Sequence, residues 1–359
     1  MKVCLIGNNG SVHVEKWVKA IAGFEDIQLH VISFDKGVHF PGVTYHALKK
    51  QTGTKLDYLL NASLTKKLIR VIDPDILHAH YATSYGLLGA LSGFHPYIVT
   101  GWGADIFDSP RYTMMRMLLK YTLKKADAIT VLSEFTQKEI GRYTDKHIEL
   151  IPFGVELSKF YRNKTTTDEF LRIGTIRTLS EKYGVEYLIR AFASLHERYP
   201  HVRLEIVGDG PQREILEHLG SELGVKEKIH FYGYVNQHTE PEKYLSLLNG
   251  FDIFAILSVI DSETFGVAAV EASACEIPVV ATNIGGLPEV ISDHQTGLLV
   301  PPRNSEETAK TLALLIGDAT LRKTLGKNGR LRAETKYDWD KNVAVMIGLY
   351  RNLIKSSSN

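Results

Sequence analysis

Short apolar runs bounded by Gly, Asn or Asp alternate along the chain with longer stretches in which apolar residues recur every three or four positions, the cadence of strands alternating with helices. Residues 3–7 form the first run, and the turn Asn8, Asn9, Gly10, Ser11 closes it. Beyond the turn, Val14, Trp17, Val18 and Ile21 fall on one side of a helix predicted over residues 13–21. Further strands are predicted at residues 29–34, 76–79, 97–100 and 128–132, with helical stretches between several of them.

A second series follows the polar piece at residues 161–168, whose Asn, Lys and three Thr residues read as a linker. Its strands are predicted at residues 171–175, 203–207, 229–232, 253–257, 279–281 and 297–300, and its helices at 185–197, 212–223, 264–274 and 305–316. The repeated order predicts an α/β protein of two doubly wound, Rossmann-like domains, separated by a cleft that the carboxyl ends of the strands face. The expected domains are residues 1–165 and 166–340. Residues 341–359 are expected to form a terminal helix that packs back on the first domain.

Composition narrows the function classes. The 44% hydrophobic content suffices for two cores, and 42 basic against 41 acidic residues excludes an acidic scaffold and a basic nucleic-acid coat, so no nucleic-acid partner is expected. The first 160 residues carry 19 basic and 15 acidic side chains and the remainder 23 and 26, which permits the first half to face an anionic surface. Two cysteines, Cys4 and Cys275, make a secreted disulfide framework a poor reading and fit a reducing compartment. The opening MKVCLIGNNGS lacks the length of a signal peptide, and no 18-residue uncharged apolar span follows. A cytoplasmic protein is expected, with peripheral contact at the inner face of the cell membrane permitted.

The densest chemistry lies in residues 262–291. Glu263 and Glu271 are separated by seven residues, with Phe265, Gly266 and Val267 between them. A helix beginning at Thr264 would hold Glu271 about two turns inside and Glu263 at its mouth, where free N–H groups suit a pyrophosphate and the deeper carboxylate suits ribose hydroxyls. Carboxylates alone repel phosphate, so cations are required. Arg177 and Lys182, just after the strand predicted at 171–175, supply a fork and a point charge.

These segments resemble the retaining glycosyltransferases of family 4, within group 1 of the two-domain GT-B superfamily. The Glu, seven residues, Glu signature matches Glu263 and Glu271, the donor-phosphate cations match Arg177 and Lys182, and the Gly-Gly turn matches Gly285 and Gly286. The resemblance implies that the second domain binds the nucleotide sugar and the first the acceptor. It places Glu271 on donor ribose and Glu263 near the transferred sugar. The turn at residues 207–213 resembles the loop beside the nucleotide, where Gly208 and Gly210 allow close passage and Arg213 is a ligand contact or a solvated charge.

The amino-terminal half matches less closely. Gly10, with Asn9, fits the loop that approaches donor phosphate, and TGWGAD at 100–105 resembles the acceptor loop, where many members carry a histidine at the position of Trp102. Trp102 cannot transfer a proton, so Asp105 is the group expected to orient an acceptor hydroxyl, with His13 a nearby cleft residue. His78 and His80 point the same way on an extended strand, but no third ligand can be nominated and no metal is expected. Residues 110–127 interleave Arg111, Arg116, Lys120, Lys124 and Lys125 with Met, Leu and Tyr, which suits a helix covering the domain or a basic face at a lipid surface.

The resemblance therefore implies a retaining hexosyltransferase moving sugar from a nucleoside diphosphate donor, commonly UDP-linked, to a sugar, lipid-linked or other hydroxyl acceptor in glycan, glycolipid or cell-envelope polysaccharide biosynthesis. The nucleotide sugar is a substrate, so no cofactor is called for. The alternatives are an inactive sugar-nucleotide-binding subunit, motivated by Trp102, and a dinucleotide oxidoreductase, for which GNNGS is not the usual GxGxxG fingerprint.

Overall fold

A computed structural model describes residues 1–164, 169–237 and 239–357. The chain divides into two compact units, one made of Met1–Pro152 with Asp340–Asn359 and the other of Phe153–Trp339. The linker expected at residues 161–168 and the boundary expected at 165 and 166 fall partly or wholly outside the described residues.

The first unit contains β1 (Lys2–Ile6), β2 (Gln28–Ser33), β3 (Val43–Ala47), β4 (Ile76–His80), β5 (Tyr97–Thr100), β6 (Ala128–Val131) and β7 (Ile148–Leu150). They form one parallel sheet in the order β3-β2-β1-β4-β5-β6-β7. Helices on both faces bury the central strands, which is why β4 reads as an unbroken buried run rather than an alternating one. The helix Val12–Ala22 buries Val14, Trp17, Val18 and Ile21, each worth about 1.5–3 kcal/mol on full burial. Its helical spacing made it legible. The terminal helix Trp339–Ser357 buries Val343, Met346, Ile347 and Tyr350 at the same spacing, and the Tyr350 hydroxyl lies 2.6 Å from His78 Nδ1.

The second unit contains β8 (Leu171–Ile176), β9 (Val202–Val207), β10 (Ile229–Gly233), β11 (Ile253–Ile256), β12 (Val279–Thr282) and β13 (Gly297–Val300), again parallel, in the order β10-β9-β8-β11-β12-β13. Ile173, Ile206, Leu188, Phe192 and Leu312 fill its core. Two parallel Rossmann-like domains are thus present, consistent with the GT-B architecture.

Each sheet grows outward in one direction and then restarts beside its first strand, so the order reverses between β1 and β4 and again between β8 and β11. Loops leaving the carboxyl ends of such neighbours diverge and open a crevice. Among the described residues, no helix is long and apolar enough to cross a membrane.

Candidate active site

In the second unit, backbone hydrogen bonds sew together the loops that leave β8, β9, β11 and β12. Arg177 N donates to Val207 O and Leu179 N to Asp209 O, both at 2.9 Å, which holds the segment after β8 against that after β9. Val259 N donates to Lys182 O at 2.9 Å and Gly286 N to Glu263 O at 2.9 Å, continuing the chain of contacts to the segments after β11 and β12. Close approach is possible only where Cβ is missing. A Cβ on Gly208 would stand 1.8 Å from Arg177 O, and one on Gly286 would stand 1.9 Å from Thr264 O. Gly208 and the Gly285, Gly286 turn therefore shape the loops that carry Arg177 and Glu263, and the Gly286 amide is already engaged.

Arg177 and Lys182 are brought together on one ring. The guanidinium carbon of Arg177 lies 4.0 Å and Lys182 Nζ 4.7 Å from the centre of Tyr183. Arg177 Nη2 is also paired with Glu263 and donates to Ser258 Oγ at 3.1 Å, while Ser258 Oγ donates to Glu263 at 2.8 Å. Arg177 Nε and Ser180 Oγ are buried without a hydrogen-bond partner. Such groups cost about 1–3 kcal/mol when left unsatisfied. Arg213 is turned instead to Glu217, at 2.8 Å, and Asp209, at 3.5 Å.

Glu271 is 3% exposed and accepts from the Tyr244 hydroxyl, whose pKa is raised by burial first and by this carboxylate second. The helix that carries it, Val267–Ala274, starts three residues later than the expected Thr264. Gly266 is the reason: at φ +81 it is left-handed and breaks the helical path. Glu271 therefore lies little more than one turn inside, and Glu263 belongs to the loop before the helix. Phe265 is buried, its ring edge-on to Tyr337 at 5.4 Å, and Val267 opens the helix half-exposed.

In the first unit, Asp105 is fully buried. Its carboxylate accepts from Ala82 N at 2.7 Å, Gly103 N at 2.8 Å and Trp102 N at 3.1 Å, tying the turn after β4 to the turn after β5. Burial raises its pKa, with those amides pulling the other way. Trp102 Nε1 donates to His80 Nδ1 at 3.3 Å, and the His13 ring centre lies 5.6 Å from that of Trp102. His78 and His80 do point the same way, ring centres 4.3 Å apart, and both are buried. Among the described residues, no group of three His, Cys, Asp or Glu is placed to hold a metal. Gly10 is exposed and donates to Asn8 Oδ1 at 2.9 Å.

Sequence reasoning passed over Ser180, Tyr183, Tyr244 and Ser258. Tyr183 directly follows Lys182, and that adjacency was the available signal. The pairing of Tyr244 with Glu271 is long-range and had none.

Residues 158–332 match the family model of glycosyl transferases group 1, and residues 2–133 match that of glycosyl transferase 4-like proteins. An uncharacterized glycosyltransferase of Methanocaldococcus jannaschii is 29% identical over 352 residues, spanning 96% of this chain and 94% of that one. The GDP-mannose-dependent alpha-(1-6)-phosphatidylinositol monomannoside mannosyltransferase of Mycolicibacterium smegmatis is 27% identical over 82% of this chain and 81% of its own length. Among solved structures, Anabaena HepE in complex with UDP superposes with a TM-score of 0.82 at 20% identity, covering 98% of this chain and all of that one, a likeness of fold.

Proposed function

We propose, on the premise that this chain belongs to the group 1, 4-like glycosyltransferases of the GT-B superfamily, that it works with retention and that each unit holds one substrate. The chain is an enzyme that passes a sugar from a nucleotide-sugar donor to a hydroxyl acceptor in glycan or cell-envelope biosynthesis. The second unit, corresponding to the expected 166–340 domain, takes the nucleoside diphosphate sugar. The first, corresponding to the expected 1–165 domain, takes the acceptor.

One observation carries the donor assignment: Arg177 and Lys182 converge on Tyr183 at the β8 and β11 switch point, with Arg177 Nε buried and unpartnered. A diphosphate is the ligand such a forked and point-charge pair suits, and its departure as a leaving group is what these cations stabilise. Gly208 makes room for the Arg177 backbone and Gly266 for the Leu287 side chain, which seats the loops around it, and the amide end of the Val267–Ala274 helix adds partial positive charge. Glu263 holds Arg177 and borders the transferred sugar, and Glu271 takes the ribose. In the first unit, Asp105 fixes the acceptor loop from within.

Retention follows a same-face route. The C1 to phosphate oxygen bond breaks, the acceptor oxygen bonds to C1 from that side, and its proton passes to the departing phosphate. This needs no histidine on the acceptor loop, which agrees with Trp102. UDP is the proposed donor nucleotide, supported by the UDP held by HepE; the GDP dependence named for the M. smegmatis relative makes GDP the comparison arm.

Peripheral membrane contact is supported by the exposed Met114, Met117 and Tyr121 beside Arg116, Lys120 and Lys124 on the helix Thr113–Lys125, and the cytoplasmic side is proposed with it. Co-sedimentation with anionic but not neutral vesicles checks it. A mass-resolved screen of UDP and GDP sugars against extracted cellular acceptors tests the reaction itself. A joined product whose anomeric proton keeps the donor configuration supports the proposal, and inversion overturns the stereochemical half.

A further inference from the structure

The imidazole of His80 ends β4 at the switch point of the first unit, the place where a doubly wound sheet opens to a ligand. It is 1% exposed and lines a pocket of about 270 Å³, with room for about nine waters, enough for one monosaccharide-sized ring. Indole Nε1 of Trp102 can only donate, so His80 Nδ1 must accept, and the ring proton is thereby fixed on Nε2. That Nε2–H is buried and has no hydrogen-bond partner. A donor left in this state costs free energy that the fold recovers only when something accepts from it.

The surroundings say what kind of acceptor. Tyr58, Tyr85 and Trp102 give the pocket aromatic walls, and Asn8 and Ser11 give it short polar groups, the combination that holds a ring apolar on its faces and hydroxylated at its rim. A second observation stands apart from the first. Tyr81, next in the chain and also lining the pocket, has φ +79, a left-handed conformation that a bulky side chain rarely adopts. The turn is held there by Tyr81 N to Thr100 O at 2.9 Å and by Ala82 N to Asp105. Strain held in place by its neighbours is typical of a position where a ligand is met.

We propose that His80 is a hydroxyl-binding residue whose Nε2–H donates to a ring hydroxyl of a sugar or cyclitol seated in the pocket between the β1 and β4 loops. This rests on the reading that the first unit holds the acceptor, and it places that unit's ligand-facing imidazole on β4 rather than on the loop after β5. Burial lowers the His80 pKa to about 3, so the ring stays neutral and in one tautomer at physiological pH.

The test uses the full chain, with methyl α-D-glucopyranoside, methyl α-D-mannopyranoside and myo-inositol as probes, each titrated with and without UDP and GDP. In the wild type, long-range nitrogen–proton spectra follow the His80 Nε2 resonance. In His80→Asn the side-chain oxygen keeps an acceptor for Trp102, while the shorter amide draws its N–H groups back from the position Nε2 holds in the pocket. The inference expects at least one probe to saturate, to shift that resonance in the wild type, and to bind about tenfold more weakly to His80→Asn. It is overturned if no probe shifts the resonance, or if His80→Asn binds as tightly. The wild-type readings need no variant to fold. Nucleotide binding in the same titrations reports separately: a chain that binds UDP or GDP but no probe overturns the His80 inference alone, whereas loss of nucleotide binding overturns the donor reading.

Discussion

Arg177 and Glu263 face each other as an ion pair in which each side chain is only 11% exposed, and Ser258 bridges them. Glu263→Ala would leave the guanidinium buried without its carboxylate, an arrangement that costs about 3–5 kcal/mol. Urea unfolding should show that loss for Glu263→Ala and a smaller one for Glu263→Gln, which keeps an acceptor oxygen. Equal midpoints for both variants would mean that the pair does not hold the loop.

Gly286 contributes through the absence of a side chain, which leaves space for the Thr264 carbonyl. A Cβ there would overlap Thr264 O, and the Gly286 amide is bonded to Glu263 O. Gly286→Ala is expected to lower stability by about 1–3 kcal/mol and to weaken nucleotide binding by displacing the Glu263 loop. Thermal unfolding and equilibrium nucleotide titration check the two effects. Binding unchanged beside lowered stability would separate the turn from the site.

Asp105 anchors two turns of the first unit through Ala82, Trp102 and Gly103 amides. Asp105→Ala strands these donors, at about 1–3 kcal/mol for each one left buried. The loss should appear in unfolding and in transfer, while affinity for the nucleoside diphosphate, which the proposal assigns to the other unit, changes by less than about twofold. A large fall in nucleotide affinity would contradict the division of substrates.

Much of this could be read from the chain. Strand and helix cadence was legible because parallel central strands are buried on both faces and surface helices are striped, as in β4 and Val12–Ala22. The strands β3 and β7 escaped notice because the first is half-exposed at a sheet edge and the second has only three residues. Glu263, Arg177 and Lys182 stood out by residue type and spacing, yet their mutual pairing did not, because it depends on glycines that let distant loops touch. The helix start was misplaced at Thr264 since sequence pattern does not reveal that Gly266 is left-handed. Nor does it reveal the burial that leaves His80 Nε2 without a partner.

Burial lowers the pKa of both His78 and His80, the latter to about 3 from an ordinary value of 6.5. A histidine whose folded pKa is depressed binds fewer protons folded than unfolded below pH 6.5, so stability falls as pH drops through that value and the loss continues toward pH 3. The slope should approach about 1.4 kcal/mol per pH unit for each such histidine. Unfolding free energies between pH 7 and pH 4 should fall less steeply in His80→Asn than in the wild type. Identical slopes would mean that His80 is not buried neutral.

The donor assignment is tested most directly by equilibrium binding of UDP and GDP to the wild type and to Arg177→Ala at one fixed ionic strength. Charge-assisted hydrogen bonds to phosphate are worth about 1.5–3 kcal/mol, so one of the two nucleotides should bind the wild type and lose about tenfold to a hundredfold in affinity in the variant. Wild-type binding of neither nucleotide, or equal binding by both proteins, would contradict the account.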